Sequence, residues 1–194
     1  QVATSAGQRF PDAKAAINSE MFKGMLIANY IGHGGPRGLS QERVVDNNDI
    51  AGWDNPNRYP LLITATCTFG GYDDYTTITG GEQAFLKINS GAIALFTTVR
   101  SVYIAGNEDL TDEVQDILFK RVNGQYLPIG EILKNAKNAV TSDVSNARRF
   151  TLLGDPAMRL AMPEYRVKTT AINGDTVMQG QPDTLRALMP VEIQ

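Results

Sequence analysis

Leu61 to Gly71 reads L-L-I-T-A-T-C-T-F-G-G. Its opening residues are apolar or β-branched, with Tyr59-Pro60 before them and Gly70-Gly71 behind. That is the pattern of a strand buried on both faces of a parallel sheet. Cys67, the only cysteine, falls where the strand should stop. Parallel sheets carry their functional groups just beyond the carboxyl ends of their strands, so the thiol is aimed at a cleft.

A second apolar run, Met25 to Ile31 (M-L-I-A-N-Y-I), ends at Gly32-His33-Gly34-Gly35, which contains the only histidine. His33 and Cys67 are 34 positions apart, a spacing that suits one crossover between neighbouring parallel strands. A thiol beside an imidazole is the minimum apparatus for covalent nucleophilic catalysis. Gly34 lets the chain bring a backbone N–H into the cleft without a Cβ in the way. The N–H groups of Gly34 and Cys67 are therefore the expected oxyanion hole, and losing one such donor usually costs about 2.7 to 4 kcal/mol of transition-state stabilisation.

The 194 residues suffice for one α/β core and the beginning of a second unit, and the chain from Gln1 reads as a fragment or processed form. A net charge of −3 gives no electrostatic case for nucleic acid. No apolar run approaches the roughly 18 to 20 residues of a transmembrane helix. A single cysteine forms no internal disulfide and leaves the compartment open.

Around the two strands, Gln1 to Gln8 reads as a frayed terminus and Pro11 to Lys23 as a helix stopped by Gly24. Asp46-Asn47-Asn48-Asp49 offers caps for a short helix, and Trp53 is expected to pack under a loop. Thr68 to Gly81 reads as a recognition loop, Glu82 to Asn89 as a short helix and Gly91 to Thr98 as a third strand. Long helices are expected over Asn107 to Val122 and Pro128 to Thr141. Arg149 to Gly154 reads as a short strand, with Met158 to Met162 as a further one. After Pro163 the residues alternate around an Asn173-Gly174-Asp175 turn, the pattern of a β-sandwich. The expected organisation is a catalytic α/β domain over residues 1–162 and the start of a sandwich over residues 163–194.

Metal chemistry is the weaker reading, because one histidine and one cysteine fall short of a structural zinc site. Calcium on the oxygens of Asp46, Asn47, Asn48 and Asp49 competes with a solvated turn that caps a helix, which is the better account. Gly32-His33-Gly34-Gly35 is too short for a phosphate loop. No metal or other cofactor is assigned.

G-H-G after one strand, a cysteine after the next, a Gly-Glu helix start, a G-A-I-A-L strand and a late F-T-L-L-G-D-P together resemble the gingipain-like cysteine peptidases. The likeness runs from about Met25 to Met162 and is strongest toward the type IX secretion sortases, the PorU-type signal peptidases. It implies a caspase-like, mostly parallel sheet flanked by helices and followed by an Ig-like sandwich. It further implies His33 as catalytic histidine, Cys67 as nucleophile, and Gly34 and Cys67 as oxyanion donors. The family's acidic residue upstream of the histidine has no clear counterpart here. By the same resemblance the substrates are exported proteins bearing a C-terminal secretion signal, other secretion-system components are partners, and the site of action is the outer membrane, cell surface or periplasm.

Thr97, Thr98, Val99, Arg100, Ser101 and Tyr103 follow the strand beside the cysteine and are candidates for the wall of the substrate pocket. Asp73 or Asp74 could attract a basic side chain there, against which Arg100 argues. The rival readings are a catalytically silent caspase-like scaffold of a secretion machine, and a metal-binding or redox protein using the lone thiol.

Overall fold

The computed structural model describes residues 2–4, 7–162, 171–172 and 175–176. The chain divides into two units, residues 1–161 and 162–194. The first opens with an antiparallel hairpin, β1 (Val2–Thr4) and β2 (Gly7–Arg9), where a frayed end was expected. Helix α1 (Pro11–Lys23) follows, with Pro11 and Asp12 in its first turn and Lys23 in its last, each favourable to the helix dipole or its free amides. Gly24, at φ 93°, ends it.

Strand β3 (Ile27–Ile31) leads into a small antiparallel meander of β4 (Gly34–Gly35), β5 (Gly38–Leu39) and β6 (Val45–Asp46). Helix α2 (Asn47–Gly52) starts from a capping box in which the Asp46 carboxylate accepts from Asn48 N and Asp49 N while Asp49 accepts from Asp46 N. Lys14 Nζ lies 3.0 Å from Asp46 and 2.8 Å from Asp49. These acids thus cap a helix and hold α1 against it, and no cluster of three or more metal-ligating side chains occurs among the described residues.

Next come β7 (Leu61–Ala65), α3 (Gly80–Leu86), β8 (Ala94–Thr98) and α4 (Ile104–Leu118). Thr79 and Glu82 form a second capping box that starts α3 two residues before the expected Glu82. Helix α4 stops at Leu118, short of the expected Val122. Asn123 and Gly124 both take left-handed φ, 52° and 81°, and turn the chain between β9 (Arg121–Val122) and β10 (Gln125–Tyr126). Asn-Gly is the favoured pair for such a two-residue hairpin. Helices α5 (Ile129–Ala139) and α6 (Val144–Arg148) precede β11 (Phe150–Leu153).

The central sheet has the order β11-β8-β7-β3, with β3, β7 and β8 parallel and β11 antiparallel at one edge. Every residue of β7 and β8 is buried. Leu62 and Leu95 join a core with Met21 of α1, Ile50 of α2, Ala84 of α3, Trp53 and Phe69. Helix α4 packs on β3 and β7, α6 on β11, and α5 against α4. The result is a mixed α/β fold with a mostly parallel sheet between helices. Trp53 is tied to α1 by its indole N–H, which donates to Asn18 Oδ1 at 2.9 Å.

No strand forms over Met158 to Met162. That segment crosses the start of α5, where Ile129 N donates to Met158 O at 2.9 Å and Gly130 N to Pro156 O at 3.0 Å. Carbonyls spent on a helix N-terminus are withdrawn from any ladder. In the second unit, β12 (Ala171–Ile172) pairs antiparallel with β13 (Asp175–Thr176). The Asn173-Gly174 turn and the rest of the expected sandwich lie outside the described residues.

Candidate active site

Parallel pairing of β3 with β7 sets Ile31 opposite Ala65, and Gly32 N continues the ladder by donating to Ala65 O at 3.3 Å. His33 and Cys67 each lie two residues beyond that last pair, so they occupy equivalent positions past the same edge of adjacent strands. Neighbouring strands run about 4.8 Å apart.

The thiol is partly buried and engaged with the β8–α4 connection. Cys67 Sγ donates to Val102 O at 3.6 Å and accepts from Val102 N at 3.5 Å. Thr68, immediately after it, takes a left-handed φ of 49°, a conformation that costs a branched residue and turns the chain sharply out of β7. Phe69 then plunges into the core at 1 % exposure and anchors the loop behind the cysteine. Gly80 and Gly81 pass so close to Phe69 that an added Cβ would come within 2.4 and 2.7 Å of it.

His33 is exposed, and its backbone is clamped. Its carbonyl accepts from Tyr30 Oη at 2.6 Å and from Ser40 N at 2.7 Å. Burial pushes the Tyr30 phenol above its ordinary range, which keeps it a hydrogen-bond donor. Gly34 serves by proximity and not by unusual φ: a Cβ there would stand 2.5 Å from Thr66 Oγ1 and 3.0 Å from Gly38 O. Imidazole and thiol do not hydrogen-bond to each other. Their shared register brings them to one edge, while Val102 holds the sulfur.

The six candidate wall residues separate into two groups. Thr97 and Thr98 are fully buried in β8, where Thr97 Oγ1 accepts from Thr64 Oγ1 at 2.8 Å and Thr98 Oγ1 donates to Thr66 O. Both therefore tie strands together and present no open wall. Val99, half-buried, and the exposed Arg100, Ser101 and Tyr103 form the connection that carries Val102. Arg149 pins that strip, donating to Ser101 O at 2.5 Å and lying 5.9 Å from the Tyr103 ring centre.

Asp73 is no free anchor for a basic substrate. Arg100 grips it through both guanidinium nitrogens, at 3.0 and 2.6 Å, and this hydrogen bonding holds the Asp73 carboxyl below the usual range. Asp74 is likewise occupied, accepting from Thr76 Oγ1 at 2.6 Å and Thr76 N at 2.9 Å, which lowers it too.

Sequence reasoning missed the buried amides behind the site. Asn107 Nδ2 donates to Ala65 O at 3.1 Å, Asn146 Nδ2 donates to Asn107 Oδ1 at 3.1 Å, and Tyr103 N donates to Asn146 Oδ1 at 2.8 Å. This relay links the end of the cysteine's strand to the start of α4. The available signal was weak: asparagine on a helix is usually a solvated residue.

Residues 1–161 match Peptidase family C25. No curated protein matches the chain in sequence. Among solved structures, the complex of the pro- and mature domains of RgpB from Porphyromonas gingivalis superposes with a TM-score of 0.67 at 21 % identity, covering 76 % of this chain and 37 % of that one. The Arg-specific cysteine proteinase gingipain R gives the same score and identity over 76 % of this chain and 36 % of its own. A third, described as a protease, scores 0.64 at 16 % identity over 90 % of this chain and 43 % of that one. The chain spans little more than a third of the length of the two gingipain structures, and at such identities what is shared with them is the fold. The match over residues 1–161 takes in the whole central sheet together with His33 and Cys67, and it is on that match that the chain belongs to Peptidase family C25.

Proposed function

We propose that this chain carries the Cys67–His33 pair of a cysteine endopeptidase. The observation that supports the reading is the shared register: both residues stand two positions beyond paired ends of adjacent parallel strands. His33 takes the proton of the Cys67 thiol, and sulfur attacks the carbonyl carbon of a peptide bond. The oxyanion accepts from the N–H groups of Gly34 and Cys67, and the proton on His33 passes to the departing amine as the C–N bond breaks. Water, or a competing amine, then opens the thioester. The Val102 N–H remains a donor to sulfur after the thiol has lost its proton.

The finer reading is a sortase-like peptidase that removes C-terminal secretion signals from exported proteins at the cell surface and can pass the acyl group to an amine. It rests on the order of motifs in the sequence. Among the described residues no helix is long and apolar enough to cross a membrane.

Iodoacetamide alkylation near neutral pH tests the pairing. Cys67 is expected to react well above the rate of free cysteine, and His33→Ala to slow it by about tenfold or more. Cleavage of a secretion-signal peptide is expected to vanish in Cys67→Ala, with an aminolysis product appearing when a primary amine is added. A thiol that labels only on unfolding, or at the same rate without the histidine, would falsify the peptidase reading and leave the scaffold.

A further inference from the structure

A cleft of about 610 Å3 opens beside His33 and is not lined by Cys67. Its lining contains two guanidinium groups, Arg37 and Arg43, and no carboxylate. Both arginines are exposed, and neither forms an ion pair among the described residues. Three nearby acids, Asp46, Asp49 and Asp73, are engaged elsewhere. Asp46 flanks them in an adjoining hollow but caps α2 and pairs with Lys14 at 3.0 Å, as Asp49 does at 2.8 Å. Asp73 is held by Arg100. Glu42 shares a separate hollow with Lys14 and Arg43 and does not line this cleft.

The loop bearing the arginines is fixed to the histidine. Ser40 N donates to His33 O at 2.7 Å, Arg43 N donates to Ser40 O at 3.3 Å, and Gly80 N donates to Pro36 O at 2.7 Å. Ser40 and Arg43 take left-handed φ values of 60° and 53°. Side chains in that region persist when the surroundings enforce them, so the loop geometry is built in.

Resting on the peptidase reading, the side of the scissile bond follows. The acyl half stays on sulfur, next to Val102 and the Val99 to Tyr103 strip. The amine half must lie against the group that protonates it, His33. A cleft that touches the histidine and not the cysteine therefore receives the chain that departs as the amine.

We propose that Arg37 and Arg43 form a subsite for acidic side chains within the first few residues after the cleaved bond, selecting peptides with Asp or Glu there. Paired guanidiniums recognise carboxylates through charge-assisted, often bidentate hydrogen bonds. Arg100, by contrast, is neutralised by Asp73.

The test is equilibrium binding to the full-length Cys67→Ala variant, which needs no turnover. The probes are dye-labelled peptides with a free N-terminus, Gly-Glu-Glu-Gly, Gly-Gln-Gln-Gly and Gly-Lys-Lys-Gly, followed by fluorescence polarisation. The Glu peptide is expected to bind about tenfold tighter than the Gln peptide, with the gap closing as salt rises. Adding Arg37→Ala and Arg43→Ala should erase the preference, and Arg37→Glu with Arg43→Glu should transfer it to the Lys peptide. Equal affinity for Glu and Gln, no binding by any peptide, or a Glu preference that survives both alanines would overturn the subsite. A Glu preference that depends on both arginines, in a chain whose Cys67 does not alkylate, would uphold the subsite and sink the peptidase.

Discussion

Gly34 measures how little room separates the two strand ends. Thr66, one residue before Cys67, is fully buried, and its Oγ1 finds no hydrogen-bond partner among the described residues. An alanine Cβ at position 34 would stand 2.5 Å from that oxygen and 3.2 Å from Thr66 Cγ2, with Gly38 O at 3.0 Å behind it. Thr66 has no solvent to swing into, so the strain falls on the loop that carries His33 and on the amide expected to meet the oxyanion. Gly34→Ala is expected to cost about 1 to 3 kcal/mol in urea denaturation, the usual range for overpacking a full site. It should also slow peptide cleavage. Thr66→Ala removes the offending atoms together with a hydroxyl that bonds to nothing. The double variant should therefore recover most of the loss, and a double variant no more stable than Gly34→Ala alone would show that the backbone conformation, and not the contact, requires glycine.

At the scale of elements, the asparagine relay makes α4 and α6 part of the site. Asn107 is 2 % exposed and Asn146 is fully buried, and together they bridge Ala65 O to Tyr103 N. Removing either amide strands a buried partner, so Asn107→Ala and Asn146→Ala should each cost about 1 to 3 kcal/mol. Because the two share one bond, the double variant should fall short of the sum by about 0.5 kcal/mol or more. Asn107→Ala should also change the alkylation rate of Cys67, since Asn107 holds the carbonyl two residues before it; an unchanged rate would make the relay purely structural. None of this was legible in the sequence, because burial of an asparagine is decided by what packs over it. What was legible came from local patterning. The apolar runs of β3, β7 and β8 and the Pro11 to Lys23 helix leave few alternatives, and both unique residues follow from where those strands end. The Asn123-Gly124 hairpin was readable too, yet the apolar spacing that leads up to Val122 matches a helix and masks it. Thr97 and Thr98 could not be told from pocket residues until the pairing with Thr64 and Thr66 O placed them inside the sheet.

For the molecule as a whole, every residue assigned to the site lies within the unit of residues 1–161. That unit also caps the start of its own helix α5. The Pro156 and Met158 carbonyls accept from Gly130 N and Ile129 N, and Gly130 approaches Pro156 so closely that an added Cβ would lie 2.6 Å from the proline ring. The F-T-L-L-G-D-P stretch thus joins the edge strand β11 to a cap on α5, and Ile129 beneath it is fully buried. A chain ending at Ala161 keeps all of these contacts, whereas one ending at Gly154 loses both acceptors and the cover over Ile129. The first truncation is expected to unfold cooperatively and to alkylate Cys67 within about twofold of the full chain, since the strands and hydrogen bonds that hold His33 and Cys67 all lie before the cut. The second should be less stable by at least the roughly 1 kcal/mol of a lost helix cap. Thermal unfolding followed by circular dichroism, with alkylation measured on the same samples, distinguishes them. If ending the chain at Ala161 already abolished folding, residues 162–194 would be a structural part of the first unit and the division at Ala161 would not be a domain boundary.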